Sequence, residues 1–440
     1  MGGIRLQGRD ETIRAIRRCG RRRVGAVRVL VVAVGTSGDV APFTGLGARL
    51  REAGHEVTIA AHGPFEEFVR VRGLGFAALP MDMKAELSTE EGRRSLTSSP
   101  AMVVRQTRIY ARHWAAMADA IVDAAEGAEF MLVSTMGWLG IHVAEGLRIP
   151  SMGIYLQPMD PTREFPPAVM TTRSLGGWGN RAAARSMRVL GQAPFRSVVN
   201  GLRERLDLPP VTPARFFRRL DEQGWPVEYG FSPTVVPRPA DWPRGREVAG
   251  YWWPEPSPDW RPPEALSQFL DDGPPPVFVG FGSLTAGDQE RYGAMVTEAL
   301  RKAGVRGVVQ AGWSGLAADE GSKDVLAVGE VPHDWLFPRM AAVVHACGAG
   351  TTAAGLRAGV PSVGVPLSAD QPFWAKRVAV LRAGPEPVPF QRLDAGRLAS
   401  AIREAVSRDS YRERAQAVAE QIAAEDGAAH VLRAIESRAS

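Results

Sequence analysis

The chain has 440 residues, 45% of them hydrophobic and 23% charged, which is the length of two ordinary domains and the balance of a soluble globular protein. No run of eighteen apolar residues occurs, excluding a membrane-spanning helix, and two cysteines, Cys19 and Cys347, exclude a disulfide scaffold or a cysteine-rich zinc site. The formal charge of +5 suggests a polyanion partner, but residues 1–23 carry eight arginines against Asp10 and Glu11, a net +6 that leaves the other 417 residues at −1.

Residues 1–26 therefore read as a basic, disordered arm, and nucleic acid is not expected as a partner of the body. No apolar stretch follows the arginines before Val24, so no secretory signal is expected and the cytoplasm is the default location. Val27–Val34 is a nearly continuous β-branched run ending at Gly35, the pattern of a strand buried on both faces of a parallel sheet. The turn Gly35–Asp39 leads into a helix expected from about Phe43 to Ala53, stopped by Gly54, and His55–Ala61 is the next strand. The same rhythm returns as a strand at Phe130–Ser134, a helix at Leu139–Leu147 and a strand at Pro150–Leu156. Residues 27–232 are thus predicted to form a doubly wound α/β domain.

Twelve prolines crowd residues 233–276, so this stretch is expected to be a linker, without a helix or a central strand. Beyond it, 277–440 resumes the α/β pattern. Strands are predicted at Val277–Phe281, Gly307–Gln310, Val325–Val328, Ala342–His345 and Ser362–Val365. Helices are predicted at Gln289–Ala303, Thr351–Ala358, Gln371–Leu381, Ala395–Val406 and Tyr411–Ser437, the last of them free to pack back on the first domain. Two similar Rossmann-like domains facing a cleft is the expected architecture.

The chemistry concentrates in Val343–Asp370. A strand ends at His345, and Gly348-Ala349-Gly350-Thr351-Thr352 then opens a helix, offering free N–H groups and the positive end of the dipole to a phosphate. The next strand delivers Asp370-Gln371 to its carboxyl end, where a carboxylate and an amide suit vicinal hydroxyls. Phosphate beside polyol points to a sugar nucleotide; for Asp370 alone, a helix cap is the plain alternative. Gly348-x-Gly350-x-x-Ala353, with Asp370 twenty residues after Gly350, also satisfies a dinucleotide fingerprint, so an NAD-linked enzyme is the rival, disfavoured because such a fingerprint normally follows the first strand of its domain. Asp39, at the end of the first strand's turn, is either a helix cap or a general base for an acceptor hydroxyl. The helix N-terminus lowers its pKa and desolvation raises it. No paired-His or Asp-x-Asp motif occurs, so no metal is expected.

At these motifs the chain resembles glycosyltransferase family one, the GT-B enzymes, and especially its sterol glucosyltransferase-like bacterial branch. The matching stretches are Gly35–Pro42, Gln157–Pro167, Gly280-Phe281-Gly282-Ser283, Val331–Phe337 and the series through Asp370-Gln371-Pro372-Phe373-Trp374. The resemblance implies a metal-independent, inverting hexosyltransferase without a cofactor, using a UDP- or TDP-sugar as co-substrate and a sterol, polyketide or other apolar natural product as acceptor. It implies Asp39 as catalytic base. It implies donor contacts from Ser283, Val331, His333, His345, Gly348, Gly350, Thr351, Asp370 and Gln371. Trp114, Met136 and Trp138 fall where the acceptor pocket is expected, although core packing explains each of them as well. Contact with a membrane surface stays open, without a span. The chain departs from the branch in one place: the usual His-His pair before the glycine loop is His345-Ala346. Losing a donor to a charged group costs roughly 1.5–3 kcal/mol, about ten- to a hundred-fold in rate. A non-catalytic homologue that binds a sugar nucleotide is therefore the alternative.

Overall fold

The computed structural model describes residues 25–80, 113–254, 260–282, 289–310 and 323–439. Nearly all of the basic arm, and Ser283, lie outside them.

The first domain is built on seven parallel strands, in the order β3-β2-β1-β4-β5-β6-β7. In chain order these are β1 (Arg28–Val32), β2 (Glu56–His62), β3 (Gly75–Leu79), β4 (Phe130–Val133), β5 (Ser151–Tyr155), β6 (Val227–Tyr229) and β7 (Arg246–Val248). β1 is central, with Val29 paired to both Val57 and Phe130, and its alternate residues enter two cores. Leu30 and Val32 join a layer with Trp114, Met117, Trp138 and Phe195, while Val29 and Val31 face Phe43, Leu46 and Leu50. Helices on both sheet faces explain why this strand reads as an unbroken apolar run. They are α1 (Ser37–Glu52), α2 (Glu66–Arg70), α3 (113–124), α4 (Leu139–Leu147), α5 (Gly176–Gln192), α6 (Arg196–Arg205) and α7 (Pro213–Glu222).

The second domain carries five parallel strands in the order β10-β9-β8-β11-β12. They are β8 (Val277–Gly280), β9 (Gly307–Gln310), β10 (Val325–Val328), β11 (Ala342–His345) and β12 (Ser362–Gly364). Around them, after α8 (Glu264–Asp271), lie α9 (Gln289–Ala303), α10 (His333–Leu336), α11 (Ala349–Arg357), α12 (Gln371–Leu381), α13 (Ala395–Ser407), α14 (Asp409–Ala423) and α15 (Gly427–Ala439).

Three differences from the expected elements have physical causes. α1 starts at Ser37, ahead of Phe43, because the Asp39 carboxylate caps the Thr36 N–H and starts the helix early. Pro42 then removes only the bond to the Gly38 carbonyl. Residues 233–276 contain the edge strand β7 and the helix α8, because the prolines flank these elements and do not interrupt them. The single helix expected over Tyr411–Ser437 is two, broken at 424–426. The break turns α15 onto the first domain, where Ala428, Val431 and Ile435 enter the core of Val29, Phe43 and Leu46. Trp252 Nε1 donates to the Gly427 carbonyl at 3.1 Å, and a Cβ on Gly427 would meet the Gly250 carbonyl oxygen at 2.5 Å.

Candidate active site

In both sheets the strand order reverses once, between β1 and β4 and between β8 and β11. The crevice outside the carboxyl ends of such strands is where ligands bind in open α/β sheets. Asp39 follows β1, Met136 follows β4, and Gln157 follows β5. Val331 follows β10, the glycine loop follows β11, and Asp370 follows β12. The chain therefore gathers its candidate residues on two facing edges.

Asp39 is half-buried in the first turn of α1. Its Oδ2 accepts from the Thr36 N–H at 2.9 Å and the Thr36 hydroxyl at 3.1 Å, and the Gln157 side chain lies near enough to favour its charged form. Gly35 makes the room. Its φ is 145°, and a Cβ there would sit 2.6 Å from Asp39 Cγ. Burial raises the Asp39 pKa, and the bonds from Thr36 and the nearby Gln157 hold part of that rise back.

Asp370 occupies the N-cap position of α12, but its side chain makes no cap bond. Its Oδ2 accepts from Trp374 Nε1 at 2.7 Å, one turn along the helix. Burial pushes its pKa up to about 6, and the charge of Asp39 adds to the rise. The Gln157 side chain also favours the charged form of this carboxylate. One amide on the first domain thus lies beside both candidate carboxylates, one from each domain. Gln371 is held beside them, its Oε1 accepting from Leu367 N–H at 2.9 Å and Ser368 N–H at 3.2 Å, which leaves its two N–H groups for a ligand.

α11 begins at Gly348, which has no side-chain cap. The first-turn N–H groups of Ala349, Gly350 and Thr351 have no acceptor within the helix. Open space surrounds Gly348 and Gly350, and Thr351 is half-buried at the same end. A phosphate fits this end by dipole and by free donors. Among the described residues five non-glycine residues have positive φ; Arg148, Asp207 and Arg382 merely close helices. The other two, Cys347 and Ala369, lie immediately before Gly348 and Asp370, so local strain is stored at these two turns. The Cys347 thiol, fully buried and pushed up to about 12, is inert.

His345 is placed differently from its expected role. Its side chain has no exposed surface, and its Nδ1 accepts from the Cys347 N–H at 3.1 Å. Burial pushes its pKa down to about 3, so a neutral imidazole braces the turn from beneath and does not reach into the cleft. β11 lies between β8 and β12, which encloses its last residue. Ala346, 7% exposed, packs with Phe281 and Val365. Val331 is likewise in the core, so its backbone alone is available to a ligand. His333 stacks on Phe337 at 4.3 Å and is neutral, its pKa pushed down to about 4 by burial. Trp114 and Trp138 pair at 4.7 Å, with Phe195 at 4.9 Å from Trp114, as an aromatic layer of the core; Met136 stays half-buried at the strand edge. Ser283 lies outside the described residues. Gln157 and Trp374 stand in the matching stretches without an expected role; a polar residue just beyond a predicted strand is the available signal for the first.

Residues 29–164 match the glycosyltransferase family 28 N-terminal domain, and residues 319–437 match the erythromycin biosynthesis protein CIII-like C-terminal domain. A sterol 3-beta-glucosyltransferase of Arabidopsis thaliana is 34% identical over 419 residues, covering 93% of this chain and 65% of the relative. A sterol 3-beta-glucosyltransferase of Candida albicans is 33% identical over 426 residues, covering 93% of this chain and 27% of the relative. The chain therefore spans under two thirds of the length of these relatives. Among solved structures, a glycosyltransferase of kitacinnamycin superposes with a TM-score of 0.69 at 18% identity, covering 94% of this chain and 99% of that one. A spinosyn rhamnosyltransferase complexed with thymidine diphosphate superposes with a TM-score of 0.63 at 18% identity, covering 93% and 100%. The second of these is solved with a nucleotide bound.

Proposed function

Because the chain is a GT-B, family-one-like member of the glycosyltransferases, we propose that it moves a sugar from a nucleoside-diphosphate sugar to a hydroxyl of an apolar small molecule. The observation that carries this function is the proximity of Asp39 and Asp370, with Gln157 beside both, in the crevice that the open end of α11 shares. Asp39 takes the proton of the acceptor hydroxyl as that oxygen attacks the anomeric carbon. The bond to the leaving phosphate oxygen breaks on the opposite side, and the configuration inverts. The first-turn N–H groups of α11 meet the charge that develops on the departing diphosphate. Asp370 and Gln371 hold hydroxyls of the sugar, and Gln157 fixes the aim of Asp39. The sterol glucosyltransferase relatives favour a sterol-like acceptor, and the thymidine diphosphate complex of the spinosyn rhamnosyltransferase favours a nucleoside diphosphate as carrier. No metal is assigned a role.

Incubation with UDP- and TDP-sugars and a panel of sterol and polyketide alcohols, in the presence of a chelator, tests the proposal. The expected product is a glycoside of inverted anomeric configuration. Failure of every donor to undergo transfer or hydrolysis would overturn it. Nucleoside diphosphate binding with no turnover, restored by Ala346→His, would identify a non-catalytic homologue. NAD binding in place of nucleoside diphosphate would identify the NAD-linked enzyme.

A further inference from the structure

Seven large apolar side chains are notably exposed among the described residues, and four of them fall within residues 170–190: Met170 (59%), Leu175 (53%), Trp178 (82%) and Leu190 (68%). They lie on α5 and the turn that enters it. The same part of the chain is of one sign. Residues 165–203 contain six arginines and no Asp, Glu or Lys. Arg188 and Arg203 turn inward to Asp160 and Glu145, while Arg173, Arg185 and Arg196 are exposed. Trp178, Ala182, Arg185 and Ser186 share one face of α5 by helical spacing. Together with Arg163 and Arg181 they line a recess of about 520 Å³.

Isolated surface apolar residues carry no message, but a cluster on one face does. Here the cluster is joined by cations without intervening carboxylates on its own segment, although Asp241 pairs with Arg181 at 3.3 Å at the rim. This is the composition of a helix that lies in the boundary of a bilayer, with indole and aliphatic groups among the acyl chains and guanidinium groups at the phosphates. We propose that this face docks on an anionic lipid bilayer, with Trp178, Met170, Leu175 and Leu190 entering the interface and a headgroup phosphate seated in the recess beside Arg163 and Arg185.

The face is tied to the cleft. Residues 158–175 run from Gln157 to α5, the Arg163 carbonyl accepts from Asn180 Nδ2 at 3.1 Å, and Phe165 packs on Phe373 of α12 at 5.4 Å. Docking would hold the crevice beside a reservoir of apolar molecules, yet the docking itself does not depend on any transfer activity.

Co-sedimentation of the full chain with phosphatidylcholine vesicles, with and without phosphatidylglycerol, tests the surface. Binding is expected to the phosphatidylglycerol vesicles, to weaken with salt, and to be much lower on phosphatidylcholine alone. Arg185→Glu reverses one interfacial charge and should lower partitioning by roughly ten- to thirtyfold, and Trp178→Ala should lower it by about tenfold. Arg301→Glu, an equal charge change on α9 of the other domain, should leave it unaltered and so separates the face from net charge, while the losses in Trp178→Ala and Arg185→Glu, which keep the arginine-rich residues 1–23, separate it from those residues. Unchanged melting temperatures show that the variants fold. Absence of binding, equal binding to both vesicle types, equal loss in Arg301→Glu, or full retention in Trp178→Ala and Arg185→Glu would each overturn the proposal. So would a self-association abolished by Trp178→Ala, which would assign the face to a second copy.

Discussion

Gln157→Leu keeps the volume of the side chain and removes its hydrogen-bond donors. In the folded protein the amide stabilises the ionised form of Asp39, whose pKa burial has already raised, and it does the same for Asp370. A polar contact to a charged group contributes about 1.5–3 kcal/mol, and each 1.36 kcal/mol is about tenfold in rate. Thr36 still holds Asp39 through two bonds, so the lower end of that range applies: the Asp39 pKa should rise and kcat/KM should fall about tenfold. The sign follows directly: losing a contact that favours the charged form raises the pKa and leaves less ionised base at neutral pH. The acid limb of kcat/KM against pH should therefore move to higher pH, and the plateau should fall from the loss of aim. Nucleoside diphosphate affinity, proposed to be set at α11, should change little. The assay is a stopped transfer reaction from pH 5 to 9, paired with calorimetric titration of the diphosphate. An acid limb that stays in place, or a diphosphate Kd that weakens as much as kcat/KM falls, would refute the assignment of Gln157 to the carboxylate pair.

Asp39→Asn should lower kcat by about 10²–10⁴-fold while diphosphate titration shows an unaltered Kd. Gly35→Ala places a methyl group against the Asp39 carboxylate at a φ of 145°; kcat should fall about a hundredfold with the same Kd, as steady-state kinetics would show. Asp370, held near 6 in the folded chain against 3.8 ordinarily, binds its proton first in the native state. Its cost to the fold is complete above about pH 6 and fades as the pH falls toward 4. Urea melts should accordingly show Asp370→Asn gaining on the parent most at pH 7–8, with the gain gone by pH 4. Asp160→Ala strips the carboxylate that faces Arg246 at 2.9 Å and Arg188 at 3.2 Å in a buried cluster, and urea melts should show a loss of about 3–5 kcal/mol.

What the sequence made legible was what local pattern encodes. β1 and β8 show as apolar runs because helices cover both faces of their sheets, and Asp39 and Asp370 are visible as carboxylates at the carboxyl ends of strands. β6 and β7 are three residues each, too short for any period, and β7 is ringed by prolines that belong to its neighbours. The partnership of Asp39 with Asp370 and Gln157 was beyond reach, since it depends on how two domains meet. A neutral amide also leaves no charge pattern to notice. His345 shows the converse limit: a histidine at a strand end looks available, and only the flanking strands, β8 and β12, decide that it is enclosed.

The return of α15 to the first domain has a consequence for recombination. The two domains of such a chain invite exchange at the proline-rich connection, as if each were a cassette. Here the cassette boundary in space differs from that in sequence, because Ala428, Val431 and Ile435 complete the core around Phe43. A hybrid joined near residue 254 alone would give its first domain a foreign plug for that core. Hybrids that transplant residues 427–439 together with the first domain should refold as grafts whose interior surfaces already match.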